Sequence, residues 1–148
     1  MQKLGFNEAV ESILATDTRY DSEAYAFVRD ALDFTIKLRK KGNKEELVSR
    51  HISGQELLDG VRQYALKEFG PMVPTVFGYW GIQCCEDIGH IVFNLIKKEI
   101  FGKSDRDTLE DFKNGFDFHE AFVAPFVFVK AAPVQDKKSN DLPVEKLQ

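Results

Sequence analysis

The sequence predicts a mainly α-helical (α+β) fold, a single compact domain of five or six helices with a small β element near residues 116–130. Three observations carry this expectation. Apolar residues recur at helical spacing through most of the first 110 positions, Gly, Pro and cap residues punctuate those stretches, and past Gly115 the pattern turns to alternation and runs of β-formers. A chain of 148 residues suits one domain and can bury roughly 70% of its unfolded surface. The expected organisation is one globular domain over 1–130 and a disordered C-terminal tail over 131–148, where AAPVQDKKSNDLPVEKLQ carries two prolines and no periodicity.

The first helix lies in FNEAVESILAT, which sets Phe6, Val10, Ile13 and Leu14 on one face. TDTRYDSE interrupts, and Asp21 or Ser22 can cap a longer helix with Tyr25, Val28, Leu32 and Ile36 as its stripe. That helix closes with KLRKKG. Lys37, Arg39, Lys40, Lys41 and Lys44 there are cations at the negative end of a helix dipole rather than a phosphate site, and Gly42 suits a left-handed cap. KEELVSRHI is open between a short strand and a helical turn. Ser53 as N-cap with Glu56 at the third helical position then forms a capping box, opening a helix that buries Leu57, Leu58, Val61, Tyr64, Ala65 and Phe69 and ends at Gly70–Pro71. A short helix over PTVFGY precedes a turn at Gly81. EDIGHIVFNLIKKEIF sends Ile88, Ile91, Val92, Leu95, Ile96 and Phe101 inward and is expected to stop at Gly102. A further helix is expected from Ser104 to Gly115. AFVAPFVFVK, residues 121–130, is apolar on both alternating faces and suits a strand at an edge or one interrupted at Pro125.

Net charge is −4, and residues 51–130 hold 8 Lys and Arg against 12 Asp and Glu, again −4, so the overall field offers nothing to nucleic acid or an anionic membrane. No run approaches the ~18 apolar residues of a membrane span, and the N-terminus lacks the apolar stretch of a signal peptide, so a cytoplasmic protein is expected. Thirteen phenylalanines imply an aromatic core, or a core plus one exposed sticky face.

The stretch WGIQCCEDIGH, residues 80–90, gathers the residue types that invite chemistry. Cys84 and Cys85 are adjacent, so on a helix they point ~100° apart and cannot easily grip one ion, and a disulfide between them is strained. Structural zinc sites space their thiolates by two to four residues, and no second pair exists. Glu86 and His90, four apart, make an ordinary helical pair. A metal would have to be assembled from Cys84, Cys85, His90 and His119, with His51 to help, and none is expected. A reactive thiol at a helix start is opposed by the negative charge of Glu86 and Asp87. No catalytic motif is present, and no cofactor is implied. The stretch reads instead as a turn and helix start: Gly81 permits the turn, Trp80 anchors it, and Glu86 and Asp87 suit the positive dipole end. Gly89, costing ~1 kcal/mol against Ala inside a helix, implies close approach of a neighbour such as Trp80 or Tyr20. PTVFGYWGIQCCEDIGHIVFNLI also has the outline of a helix-turn-helix-like unit. Its second helix opens with two acids where base- and phosphate-contacting cations belong.

The stretches FNEAV, RYDSEAYAFVRDAL, HISGQELLDGVRQYA, FGP, VFGYWGI, EDIGHIVFNLI and DFKNGFDF together resemble a small bacterial family of uncharacterised proteins found mainly in planctomycetes and verrucomicrobia. The resemblance covers roughly residues 6 to 122. It implies a single intracellular domain and brings no activity, cofactor or catalytic residue. It also implies a hydroxyl residue near position 85 in relatives, so the cysteine pair is a local departure.

The functional expectation is a non-enzymatic cytoplasmic protein-interaction or accessory domain, with an unknown protein partner or a homo-oligomer formed through Phe122, Phe126 and Phe128. The alternative is a winged-helix-like nucleic-acid-binding regulator.

Overall fold

A computed structural model of the chain describes residues 5–42, 52–102, 109–113 and 115–131, which are mainly helical. Several helices begin where a side chain meets the orphan amides of a first turn. In α1 (Phe6–Leu14), Glu8 reaches back to accept from Gly5 N at 3.0 Å. In α2 (Ser22–Gly42), the Asp21 carboxylate accepts from Glu23 N at 2.9 Å. α3 (Gly54–Phe69) opens on the capping box, with Glu56 N donating to Ser53 Oγ (3.1 Å) and Ser53 N to Glu56 Oε1 (2.9 Å). It ends at Gly70, in the left-handed region at φ 53°, and a 3₁₀ turn over Gly70–Met72 leads into α4 (Val73–Trp80).

Gly81 closes α4 at φ 88°. A Cβ there would stand 2.4 Å from the Arg19 carbonyl oxygen, so both conformation and space call for glycine. α5 (Cys85–Lys97) follows and is the most enclosed helix, with Cys85, Ile88, Gly89, Ile91, Val92, Asn94 and Leu95 buried. It does not run on to Gly102. The chain turns back at Glu99, φ 63°, which brings Ile100 N to the Leu95 carbonyl at 2.9 Å and satisfies an end-of-helix acceptor three residues earlier than expected. Of the helix expected from Ser104, the described part is a 3₁₀ turn at Leu109–Phe112. Lys44 to His51, which hold the ambiguous KEELVSRH, and the tail from 132 onward lie outside the described residues.

The β element expected near 116–130 is not what the structure shows. This segment forms α6 (Phe118–Phe122) and α7 (Ala124–Ala131), and among the described residues there is no strand. The physical reason lies at the helix starts. Asp117 accepts from Glu120 N at 3.0 Å, an N-cap, and Pro125 falls in the first turn of α7, where its missing N–H has no intrahelical acceptor to disappoint. A continuous apolar run satisfies a helix as well as a strand, so periodicity alone could not separate them.

α2 lies along α3, and α5 packs against α1, α2, α3 and the Leu109–Phe112 turn. The core between them is aromatic. Phe27 has the rings of Tyr64, Phe69, Phe77 and Trp80 within 6 Å, centroid to centroid. Phe77 passes the contact on to Phe118 and Phe122. Two glycines within helices permit close approaches between elements. A Cβ on Gly60 would come within 1.8 Å of Thr35 Oγ1, and one on Gly89 within 2.8 Å of Phe112 Cγ. The neighbour of Gly89 is therefore Phe112, brought in from the following loop, and not Trp80 or Tyr20. No described helix is long and apolar enough to cross a membrane.

Candidate functional site

The polar groups of residues 80–90 are engaged by the fold. Asp87, in the first turn of α5, accepts from Gln83 N at 2.8 Å and Cys84 N at 3.3 Å, fastening the turn that leaves α4. Its other oxygen accepts from the Tyr20 hydroxyl at 2.6 Å. The Tyr20 oxygen lies 3.0 Å from His90 Nδ1. Because the single Tyr20 O–H is spent on Asp87, the phenol faces His90 as an acceptor, which by the hydrogen-bond network assigns the histidine proton to Nδ1. Burial, and then the bond to Asp87, hold the Tyr20 phenol well above its ordinary pKa. From the other side, Asp21 N donates to the Trp80 carbonyl at 3.1 Å, and the Trp80 ring packs on Phe27, Phe69 and Phe77. This corner joins the α1–α2 loop, the end of α4 and the start of α5.

The two cysteines part company here. Cys84 is exposed and Cys85 buried, both as free thiols. Cys85 donates to the Phe116 carbonyl at 3.4 Å, and burial pushes its pKa up to about 11, a protonated, inert thiol at neutral pH. His119 is exposed on α6. Among the described residues no group of three or more His, Cys, Asp or Glu side chains converges to hold a metal ion. Glu86 is half-buried at the start of α5.

A second polar cluster escaped the sequence reading. Asn94, buried on α5, donates to Asp17 Oδ2 at 3.1 Å and to the Tyr25 hydroxyl at 3.0 Å. Arg19 clamps Asp17 through two bonds of 3.0 and 2.7 Å. The hydrogen bond from Arg19 holds the Asp17 carboxyl well below the usual range. Its signal was an amide on the inward register of an apolar helix, between Ile91 and Leu95, where a side chain demands partners. Lys97 and Lys98 stand beside this cluster, around an open polar cleft.

The third feature is the C-terminal pair of helices. Phe122, expected in an exposed docking face, is 2% exposed and stacks edge-on against Phe77, Phe116 and Phe118, so it belongs to the chain's own core. Phe126 and Val127 are exposed, at 39% and 52%, and Phe128 follows them along α7.

The fourth is a recess of about 250 Å³ between α2, α3 and α5, with Phe112 also in its wall. Leu32, Ile36, Leu57, Val92, Phe93 and Ile96 form much of its wall, and Arg39 and Ser53 also line it. Arg39 Nη2 donates to both oxygens of Glu56 at 2.9 Å, and its side chain is only 9% exposed.

No protein-family model matches this chain, and neither a curated protein nor a solved structure matches it.

Proposed function

We propose that the chain is a non-enzymatic cytoplasmic interaction domain that associates with a second copy of itself through α7. The observation that carries this is the first turn of α7, where Ala124, Pro125, Phe126 and Val127 are all exposed, with no polar residue among them. Within its own chain α7 packs mainly on α6. Apolar surface of this kind marks contact sites. With no charge among these four residues to select a different partner, a self-complementary contact across a two-fold axis suits them best. A helix of eight residues is ~12 Å long. It covers less than the roughly 800 Å² per partner of a standard stable interface, so the association is weak and reversible.

A non-enzymatic role is supported by the corner at residues 80–90, where hydrogen bonds that build the fold occupy Asp87, Tyr20 and Cys85. Two free thiols suit a reducing compartment. The resemblance to the planctomycete and verrucomicrobial family rests on the stretches quoted above and adds no activity to the proposal. The nucleic-acid alternative finds its one favourable feature in the cleft flanked by Arg19, Lys97 and Lys98. Against it, Arg19 is committed to Asp17, α5 keeps most of its length in the core, and its first turn carries the acids Glu86 and Asp87.

Sedimentation of the full chain at tens to hundreds of micromolar tests the proposal. The parent shows a concentration-dependent rise in mass, and the Phe126→Asp, Val127→Asp variant stays monomeric with an unchanged helical spectrum. A parent that is monomeric throughout the range sinks self-association, and nanomolar, sequence-dependent binding to duplex DNA would put the nucleic-acid reading in its place.

A further inference from the structure

The recess between α2, α3 and α5 lies apart from α7 and asks what belongs in it. Cores of domains this size are packed to crystal density and hold few voids larger than a water molecule. A 250 Å³ recess whose walls are mostly aliphatic and aromatic gives water few hydrogen-bond partners over most of its surface. A cavity of about 150 Å³ lined by the same residue types takes up benzene. In proportion, this one accommodates on the order of ten non-hydrogen atoms. A partner helix, roughly 10–12 Å across with its side chains, is too wide to enter.

The charge in the wall decides the class of ligand. Among the described residues Arg39 is the one ionised side chain lining the recess, and it is bonded to both oxygens of the Glu56 carboxylate. A ligand carboxylate would find the guanidinium already paired with Glu56 and lose its hydration against Ile36, Leu57 and Ile96. A ligand cation would face the guanidinium. An uncharged body meets neither cost, and the Ser53 hydroxyl in the wall can receive one polar group. We infer that this recess is a binding site for a small uncharged amphiphile, an aliphatic chain or single ring system of about ten heavy atoms carrying one alcohol, carbonyl or ester group.

Gly102 supplies the control. It lines the recess, is exposed, and a Cβ added there meets nothing within 4 Å. Gly102→Leu therefore adds a side chain beside the recess whose Cβ has open space. The test titrates the full chain with 1-octanol and, separately, with octanoate, followed by methyl NMR and thermal unfolding. 1-Octanol is expected to shift the methyl resonances of Ile36, Leu57, Val92 and Ile96 saturably and to raise Tm. Octanoate should bind at least tenfold more weakly, and Gly102→Leu should weaken 1-octanol at least tenfold while keeping the parent's spectrum. Four results would overturn the inference: no saturable shift up to the solubility limit of 1-octanol, shifts confined to α7, octanoate binding as well as the alcohol, or a well-folded Gly102→Leu that binds like the parent. The methyl map of the parent decides the matter even if the variant misfolds.

Discussion

At Gly60 the absence of a side chain sets how closely α3 can approach α2. Thr35 on the facing helix is 7% exposed and donates its hydroxyl to the Ala31 carbonyl at 2.7 Å, so it cannot swing away without leaving a buried acceptor with one bond fewer. A methyl at position 60 would fall on Thr35 Oγ1 and lie 2.9 Å from Thr35 Cβ. Gly60→Ala is therefore expected to destabilise the chain by about 1–3 kcal/mol, against the ordinary helical advantage of Ala over Gly. Thr35→Ala in the same chain should return part of the loss, because it removes Oγ1 but not Cβ. Urea denaturation of both single variants and the double measures this, and a neutral or stabilising Gly60→Ala would contradict the helix packing described. The two cysteines give a second test at the same scale. Cys84 lies open and Cys85 is enclosed behind Leu58 and Gly115, where a Cβ on Gly115 would come within 2.7 Å of its sulfur. A thiol-reactive dye at pH 8 should modify one cysteine per chain quickly and the other only as the chain unfolds. Two fast equivalents would show Cys85 to be accessible. Adjacency in sequence told only that these thiols do not act together. Which of them is inside depended on Phe116 and Gly115, some thirty residues on.

Among the elements, legibility follows the distance between the partners that define each one. Ser53 and Glu56 are three residues apart and both halves of their box could be read directly, whereas the arginine that binds the same Glu56 comes from α2. Asp117 and Glu120 show the same local spacing, but the apolar run after them is rich in β-formers and fits a strand as well as the two helices it forms. Glu99 stops α5 without any glycine to announce it, because the closing bond to Leu95 is made by the chain that follows. The recess was not legible at all, since its walls belong to three helices whose apposition no local pattern states. These differences have energetic consequences. Ser53 holds one amide of α3, and Ser53→Ala should cost about 1 kcal/mol. Asp87 holds two amides of the turn before α5 and, through Tyr20, the loop before α2. Its bonds are charge-assisted and reach across the fold, so Asp87→Ala should cost about 3 kcal/mol. The comparison is made by urea denaturation of the two variants side by side, and equal losses would mean that the Tyr20–Asp87 bond contributes nothing beyond a local cap.

For the molecule as a whole, buried groups that hold their protons set how its stability responds to alkali. Cys85 releases its proton near its ordinary value of 9.0 once unfolded, but only near 11 in the fold, chiefly because burial opposes the thiolate. Between those values the unfolded chain binds fewer protons than the folded one, so stability falls as pH rises. The contribution is fully present below pH 9 and is gone above about 11. A shift of that size corresponds to on the order of 2–3 kcal/mol. Tyr20 and Tyr25, both almost wholly buried, have phenols raised first by burial, and they act with the same sign from pH 10 upward. Asp17 governs the opposite limb. Its hydrogen bond from Arg19 lowers the folded carboxyl below its ordinary 3.8, so that contribution is present above about pH 4 and is lost on acidification. The chain should therefore show a broad plateau at neutral pH and a steep alkaline edge. Cys85→Ala separates the thiol from the tyrosines: it loses some packing at every pH, but its stability should fall less than the parent's between pH 8.5 and 10.5, by on the order of 2 kcal/mol. Parallel pH profiles for the two chains, measured by denaturation across that window, would show that Cys85 is not held protonated by the fold, and the alkaline edge would then belong to the tyrosines alone.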